Sequence, residues 1–152
     1  MIAPNGLALA AGEGRSLSIM GNKLTFKVEN EATNGAFAVL EYEVGPRFRG
    51  PPVHRHERTD ELFYVLEGTV WFTMDGRTLD GGPGTTVFVP RGTPHTFANH
   101  ADAPARFLEV ALPGHFVGYF DALHAALPAT GGLPTPETIA ALYAAYDTVP
   151  VD

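Results

Sequence analysis

Short runs of alternating apolar and polar residues fill roughly the first three quarters of the chain and predict antiparallel β-structure. Strands are predicted over residues 17–28 (two strands around Gly21-Asn22), 36–44, 61–66, 69–74, 87–90, 95–99 and 106–112. The dipeptide Asp75-Gly76 separates two β-prone runs and favours a tight hairpin turn. Glycine and proline are spread between the runs as turn residues, so the pattern predicts about ten strands.

The pattern changes after Pro113, where apolar residues recur at steps of three or four. This spacing predicts a helix over residues 115–127. A Pro/Gly/Thr stretch over 128–134 ends it, and Thr135 is a suitable N-cap for a second helix that reaches about Tyr146.

These elements predict an all-β fold, an antiparallel barrel, with two short C-terminal helices. The length of 152 residues suits one domain. We expect residues 1–112 to form the barrel with its N-terminal strands. Residues 113–152 would form a helical extension that packs on the same domain.

Composition and charge narrow the function classes. The chain has no cysteine, which excludes a thiol nucleophile, a disulfide framework and a zinc–thiolate site. Its net charge of −7 is unfavourable for binding nucleic acid, which needs a basic face. No apolar run approaches the roughly 20 residues that span a bilayer. We therefore expect a cytoplasmic protein with neither a nucleic acid nor a membrane as partner.

Two histidines suggest where the chemistry lies. His54 and His56 are two residues apart, so on a strand their side chains point to the same face. Inside a barrel such a pair needs a partner, and a divalent transition metal is one. A buried histidine is more often a hydrogen-bonded core residue, so this pair alone leaves the odds of a metal roughly even.

Glu61 follows His56 by five residues, which plain alternation would place on the opposite face. We therefore expect a break in the strand over the polar residues 57–60, with Glu61 facing inward at the start of the next strand. By the same alternation, Phe63 and Val65 face inward. Leu62, Tyr64 and Leu66 then face outward, and a helix or a second subunit should cover them.

The spacing of these residues matches two known motifs. From His54 the chain reads H-x-H-x4-E-x6-G, and from Gly84 it reads G-x5-P-x-G-x2-H-x3-N, ending at Asn99. Both resemble the conserved motifs of the cupin superfamily, and His95 fills the histidine position of the second. The first departs at its start, where Phe48 stands in place of a glycine.

This resemblance implies a double-stranded β-helix, the cupin jelly-roll barrel, which is often dimeric. It also implies a metal site made by His54, His56, Glu61 and His95, with one divalent transition metal as cofactor (Fe, Ni, Mn, Cu or Zn). A looser likeness covers most of the chain and points to bacterial mono-cupins similar to quercetin 2,3-dioxygenase. We expect a homodimer.

The resemblance favours a dioxygenase that acts on a small aromatic or enolic molecule, with Glu61 as metal ligand and general base. The predicted substrate pocket is apolar, and its wall is Phe63, Val65, Trp71 or Phe72, Phe97 and Phe107. Taken singly, each of these residues is more often ordinary barrel core than pocket wall.

Two other functions stay open. One is a non-oxidative isomerase or cyclase in which zinc acts as a Lewis acid. The other is a small-molecule-binding cupin without turnover. The identity of the metal would discriminate between the two enzymes, since only a redox metal favours dioxygen chemistry.

Overall fold

The computed structural model describes residues 6–152, so the first five residues of the predicted barrel domain lie outside it. Eleven strands are present among the described residues. They are β1 (Arg15–Ile19), β2 (Asn22–Val28), β3 (Ala38–Val44), β4 (His54–Arg55), β5 (Asp60–Glu67), β6 (Val70–Met74), β7 (Arg77–Gly81), β8 (Thr86–Val89), β9 (His95–Ala98), β10 (Ala105–Leu112) and β11 (Val149–Pro150).

The strands form two antiparallel sheets that enclose the core. The order in the first sheet is β1-β2-β3-β10-β5-β8, and in the second it is β11-β4-β9-β6-β7. The predicted strands are confirmed within one or two residues at their ends. The predicted hairpin is also present, since Met74 pairs with Arg77 and both Asp75 and Gly76 have positive φ. Strand β11 has no counterpart in the prediction.

The two predicted helices are present after β10. The first is divided into a 3-10 helix, Gly114–Val117, and α1, Gly118–Ala126. The second, α2, is Pro136–Ala145, and the Thr135 hydroxyl caps it by accepting a hydrogen bond from the Thr138 amide. Neither helix of the described chain has the length and apolar character needed to cross a membrane.

Strand β5 alternates as its sequence predicts. Glu61, Phe63 and Val65 are buried, at 2% exposure or less, and point into the barrel. Tyr64 on the opposite face is 45% exposed, so no element of the described chain covers that position. The helices lie over the internal cavity instead. A second subunit on the outer face of β5 stays a prediction.

Gly50 makes the turn before the first histidine possible. Its φ is +87°, and a Cβ atom there would collide with the backbone carbonyl oxygen of Phe97. Phe48 occupies the position at which the motif has glycine, and its carbonyl oxygen accepts a hydrogen bond from the Asn99 amide (2.9 Å). The close approach of two backbone segments is therefore achieved two residues later than the motif predicts.

Asn99 ties the end of β9 to two other segments. The side chain is fully buried. Its Nδ2 donates to the carbonyl oxygens of Ala103 (2.8 Å), Gly45 (3.1 Å) and Val44 (3.3 Å), and its Oδ1 accepts from the Ala101 amide (3.0 Å). An amide is suited to this position because it supplies both donors and an acceptor from one planar group.

We expect Asn99→Ala to lower the free energy of unfolding by about 2–4 kcal/mol, because it leaves buried backbone groups without partners. Urea unfolding followed by circular dichroism measures this change. Asn99→Asp keeps Oδ1 but removes the donors, so it should destabilise the protein as well. A loss below about 0.5 kcal/mol in both variants would show that water replaces the side chain.

Candidate metal centre

Three histidines from neighbouring segments converge inside the barrel. His54 and His95 are directly paired across β4 and β9. His56 follows the end of β4. All three are buried, at 2–8% exposure, and one ring nitrogen from each lies within 4.8 Å of one from each of the others. The three imidazoles could therefore hold a metal ion.

The other ring nitrogen of each histidine is fixed by the backbone. Each Nδ1 lies within hydrogen-bond distance of a carbonyl oxygen: that of Pro52 for His54 (2.8 Å), Asp147 for His56 (2.8 Å) and Thr93 for His95 (2.9 Å). A carbonyl oxygen can only accept, so Nδ1 carries the proton in each ring. Nε2 is then the ring atom that faces the centre, which is the arrangement that metal-binding histidines adopt.

Glu61 reaches the same point from the opposite sheet. Its Oε2 lies 2.7 Å from Nε2 of His95 and 3.2 Å from Nε2 of His56. Neither the Glu61 Oε2 atom nor the His56 Nε2 atom has a hydrogen-bond partner among the described residues. Two buried acceptors facing each other are unfavourable unless a proton or a cation lies between them. This donor set fits a divalent cation.

Electrostatics in the centre follow from burial and these short contacts. Burial, with the neighbouring His95, lowers the pKa of His54 to about 4. For His56 burial also acts to lower the pKa, but the Glu61 carboxylate outweighs it and the net shift is upward. Burial acts to raise the pKa of Glu61, yet His56 and His95 hold it well below its usual range. Glu61 is therefore ionised at neutral pH.

The C-terminal segment holds the loop that carries His56. The Asp147 carboxylate accepts hydrogen bonds from the amides of Glu57 (3.1 Å) and Arg58 (3.0 Å) and from the Thr59 hydroxyl (2.7 Å). Its carbonyl oxygen accepts from His56, and β11 pairs with β4 just beyond. Asp147 therefore fixes both the ring of His56 and the break that lets Glu61 face inward.

A cavity of about 380 Å³ opens next to this cluster, with His54, Glu61 and His95 in its wall. The remaining wall is largely aromatic and aliphatic, with contributions from both sheets and both helices. The aromatic members are Tyr42, Phe48, Phe63, Phe97, Phe116, Tyr119, Phe120 and Tyr143. Its volume lies within the usual range for small-molecule sites.

The structure changes part of the pocket predicted from the sequence. Phe63 and Phe97 line the cavity. Val65 and Phe107 do not, because both are completely buried in the closed part of the core. Trp71 is turned away from the cavity and packs against His100, with ring centroids 4.9 Å apart. Alternation identifies inward residues but not their depth along the barrel.

One acidic residue of the cavity was missed. Glu109 is 2% exposed on β10, opposite Phe63 of β5, and lines the cavity. Burial and the negative charge of Glu61 raise its pKa well above the usual range. The signal was present in the sequence, since Glu109 shares the inward parity of Phe107 and Ala111.

We expect Asp147→Asn to weaken metal binding by about 10- to 100-fold, because the loop next to His56 loses the charged acceptor of its hydrogen bonds, although the backbone bond to the His56 ring remains. Competition with a chelator of known affinity measures this change. Asp102→Asn is the matched control, since that carboxylate pairs with Arg47 on the surface (2.6 Å). Unchanged metal affinity in the Asp147 variant would show that the loop keeps its shape without the carboxylate.

The sequence is similar to a known family and to known proteins. The family model described as a cupin domain matches residues 40–111. Quercetin 2,3-dioxygenase of Bacillus subtilis is 32% identical over 116 residues, which are 76% of this chain and 34% of that protein. The chain spans half or less of the length of the curated relatives it matches.

Two solved structures show the same fold. The polyketide cyclase RemF from Streptomyces resistomycificus superposes with a TM-score of 0.62 at 28% identity, over 70% of this chain and 79% of that one. A predicted oxalate decarboxylase from Thermotoga maritima gives a TM-score of 0.65 at 19% identity, over 70% and 99%. The predicted jelly-roll barrel with two C-terminal helices is thus confirmed, and the chain belongs to the cupin superfamily.

Proposed function

We propose that this cupin is a metal-dependent dioxygenase that acts on a small aromatic or enolic molecule. One observation carries the proposal: three buried imidazoles with backbone-fixed Nδ1 atoms meet a buried carboxylate at the wall of an apolar cavity. Such a site can bind a metal and, beside it, an organic molecule. The similarity to quercetin 2,3-dioxygenase over 76% of the chain supports this reaction class.

His54, His56, His95 and Glu61 would be the ligands of the metal. A divalent transition metal with these four ligands supplies positive charge and open coordination positions for oxygen donors. The hydrogen bonds that each Nδ1 donates to a backbone carbonyl oxygen set the orientation of the rings before the ion arrives. The ligand set is compatible with Fe, Ni, Mn, Cu or Zn, and a measurement decides among them.

The other residues of the site would bind and orient the substrate. The aromatic wall around Phe63 and Phe97 excludes water and accepts a flat apolar molecule. Glu61 is ionised, so its carboxylate can accept the proton of a substrate hydroxyl that enters the cavity. In this role Glu61 is both a ligand and a general base.

A second candidate is a non-oxidative cyclase or isomerase that uses zinc as a Lewis acid. The observation in its favour is the similarity to the polyketide cyclase RemF, at 28% identity over 70% of the chain. The same cavity and the same four ligands would serve, and only the metal and the dependence on dioxygen would differ.

We expect His54→Ala and His95→Ala to lower the metal content of purified protein from about one ion per chain to below about one tenth, because each removes a ligand. Elemental mass spectrometry measures the content, and circular dichroism shows that the barrel remains folded. His100→Ala is the control, since His100 is exposed and outside the cluster. Equal metal content in all variants would rule out this site.

We expect the protein with a redox-active metal to consume dioxygen when flavonols or β-diketones are added, and removal of the metal by a chelator to abolish this uptake. An oxygen electrode with parallel product analysis measures both. Bound zinc together with turnover that is indifferent to dioxygen would establish the cyclase or isomerase. A metal-loaded protein that binds these molecules without converting them would be a binding cupin.

A further inference from the structure

Glu109 is a buried carboxyl group at the wall of the cavity. It is 2% exposed, and its Oε1 atom has no hydrogen-bond partner among residues 6–152. It forms no salt bridge with any described residue. Its neighbours on the adjacent strands are apolar: Glu109 pairs with Phe63 on β5 and with Leu40 on β3. The contact that Glu109 has is a side-chain hydrogen bond with the Glu61 carboxyl, and no cation or amide of the described barrel forms a hydrogen bond or salt bridge with it.

A group of this kind reduces stability. Burying a polar atom without a hydrogen bond costs free energy, whereas an apolar side chain of similar volume would pack against Phe63 and Leu40 without that cost. Glu41 on the neighbouring strand β3 shows the contrast, since this half-buried carboxylate forms a salt bridge with Arg106 (2.8 Å). Unfavourable buried groups are typical of positions at which a ligand supplies the missing partner.

Glu109 lies at the end of the cavity where the proposed metal ligands are. Glu61 is opposite Ala111 in the pairing of β5 with β10, and Glu109 is one alternation step further along β10. Its side chain therefore lies beside Glu61 on the inward face, next to the proposed metal and against the aromatic wall. A ligand whose oxygen reaches the metal end would bring its neighbouring atoms to Glu109.

We propose that Glu109 is a specificity residue that hydrogen-bonds a hydroxyl group of the ligand, so that the cavity selects aromatic or enolic molecules with an additional hydroxyl besides the oxygen at the metal end. A hydroxyl both donates and accepts, so it satisfies the carboxyl group in either protonation state. This inference rests on the proposed site for a small molecule, but it requires neither turnover nor a particular metal.

The first test is the stability of the protein as purified. Glu109→Leu should raise Tm by about 3 °C or more, because a buried carboxyl with an unpartnered oxygen is replaced by an apolar side chain, while the protein keeps one metal ion per chain. Glu43→Leu, at an exposed position on β3, is the matched control and should change Tm by less than about 1 °C. A lower Tm for Glu109→Leu would make Glu109 a structural residue, and loss of the metal would make it part of the metal centre; either result overturns the proposal.

The second test measures ligand binding by fluorescence in the absence of dioxygen, so that failure of the dioxygenase hypothesis does not affect it. The probes are 3-hydroxyflavone and its three derivatives with one more hydroxyl at carbon 7, 3′ or 4′. All four share the same single pair of adjacent oxygens that can reach the metal, so the metal contribution cancels in the comparison. At least one derivative should bind the wild-type protein about 10-fold more tightly than the parent compound.

This gain should disappear in Glu109→Leu and survive within about 3-fold in Glu109→Gln, which retains hydrogen-bonding groups. The parent compound should bind all three proteins within about 3-fold of one another. A gain that persists in the leucine variant would overturn the role of Glu109. Absence of binding by every probe to the metal-loaded wild-type protein would overturn the assignment of hydroxylated aromatic ligands.

Discussion

The centre depends on three hydrogen bonds from imidazole Nδ1 atoms to backbone carbonyl oxygens. They determine which nitrogen of each ring carries the proton and where the other nitrogen points. The acceptors, Pro52, Thr93 and Asp147, belong to three segments that are distant in sequence. The rings are therefore oriented only when the approach to β4, the turn before β9 and the C-terminal tail are in place together. The geometry of the site therefore depends on contacts between segments from across the whole fold.

The sequence predicts most of the barrel and the convergence of His54, His56, Glu61 and His95, because side chains alternate with a period of two on strands and the motif spacing fixes the break before β5. It does not predict the contribution of Asp147, because a two-residue strand such as β11 has no periodicity to detect. The sequence also does not predict which of the inward-facing residues line the cavity. The pattern marks Phe107 as inward, but only the packing of the two sheets shows that it lies outside the cavity wall.

Burial and neighbouring charges have opposing effects on the two buried glutamates of the cavity, Glu61 and Glu109. Burial disfavours every charge in the centre, yet the contact between Glu61 and two imidazoles holds the carboxylate ionised. Glu109, with the same burial and no basic neighbour among the described residues, has a raised pKa. Two glutamates on adjacent strands thus differ in pKa because of their neighbours and not because of their exposure. The cavity contains one carboxyl group suited to a cation and one suited to a neutral ligand.

The two helices that cover the cavity come from a part of the chain that contributes no histidine to the cluster. Side chains such as Tyr119 and Tyr143 shape the space for a ligand, while the barrel supplies the rings. Part of the cavity wall is therefore encoded in a stretch of sequence that contains none of the proposed metal ligands. Exchange of residues 114–145 between related proteins would reshape that part of the cavity, provided that the packing of Phe116 on the His56 ring is kept (ring centroids 4.2 Å apart). Asp147 also limits such an exchange, because any new helical segment must leave its carboxylate in hydrogen-bond contact with the loop that follows His56.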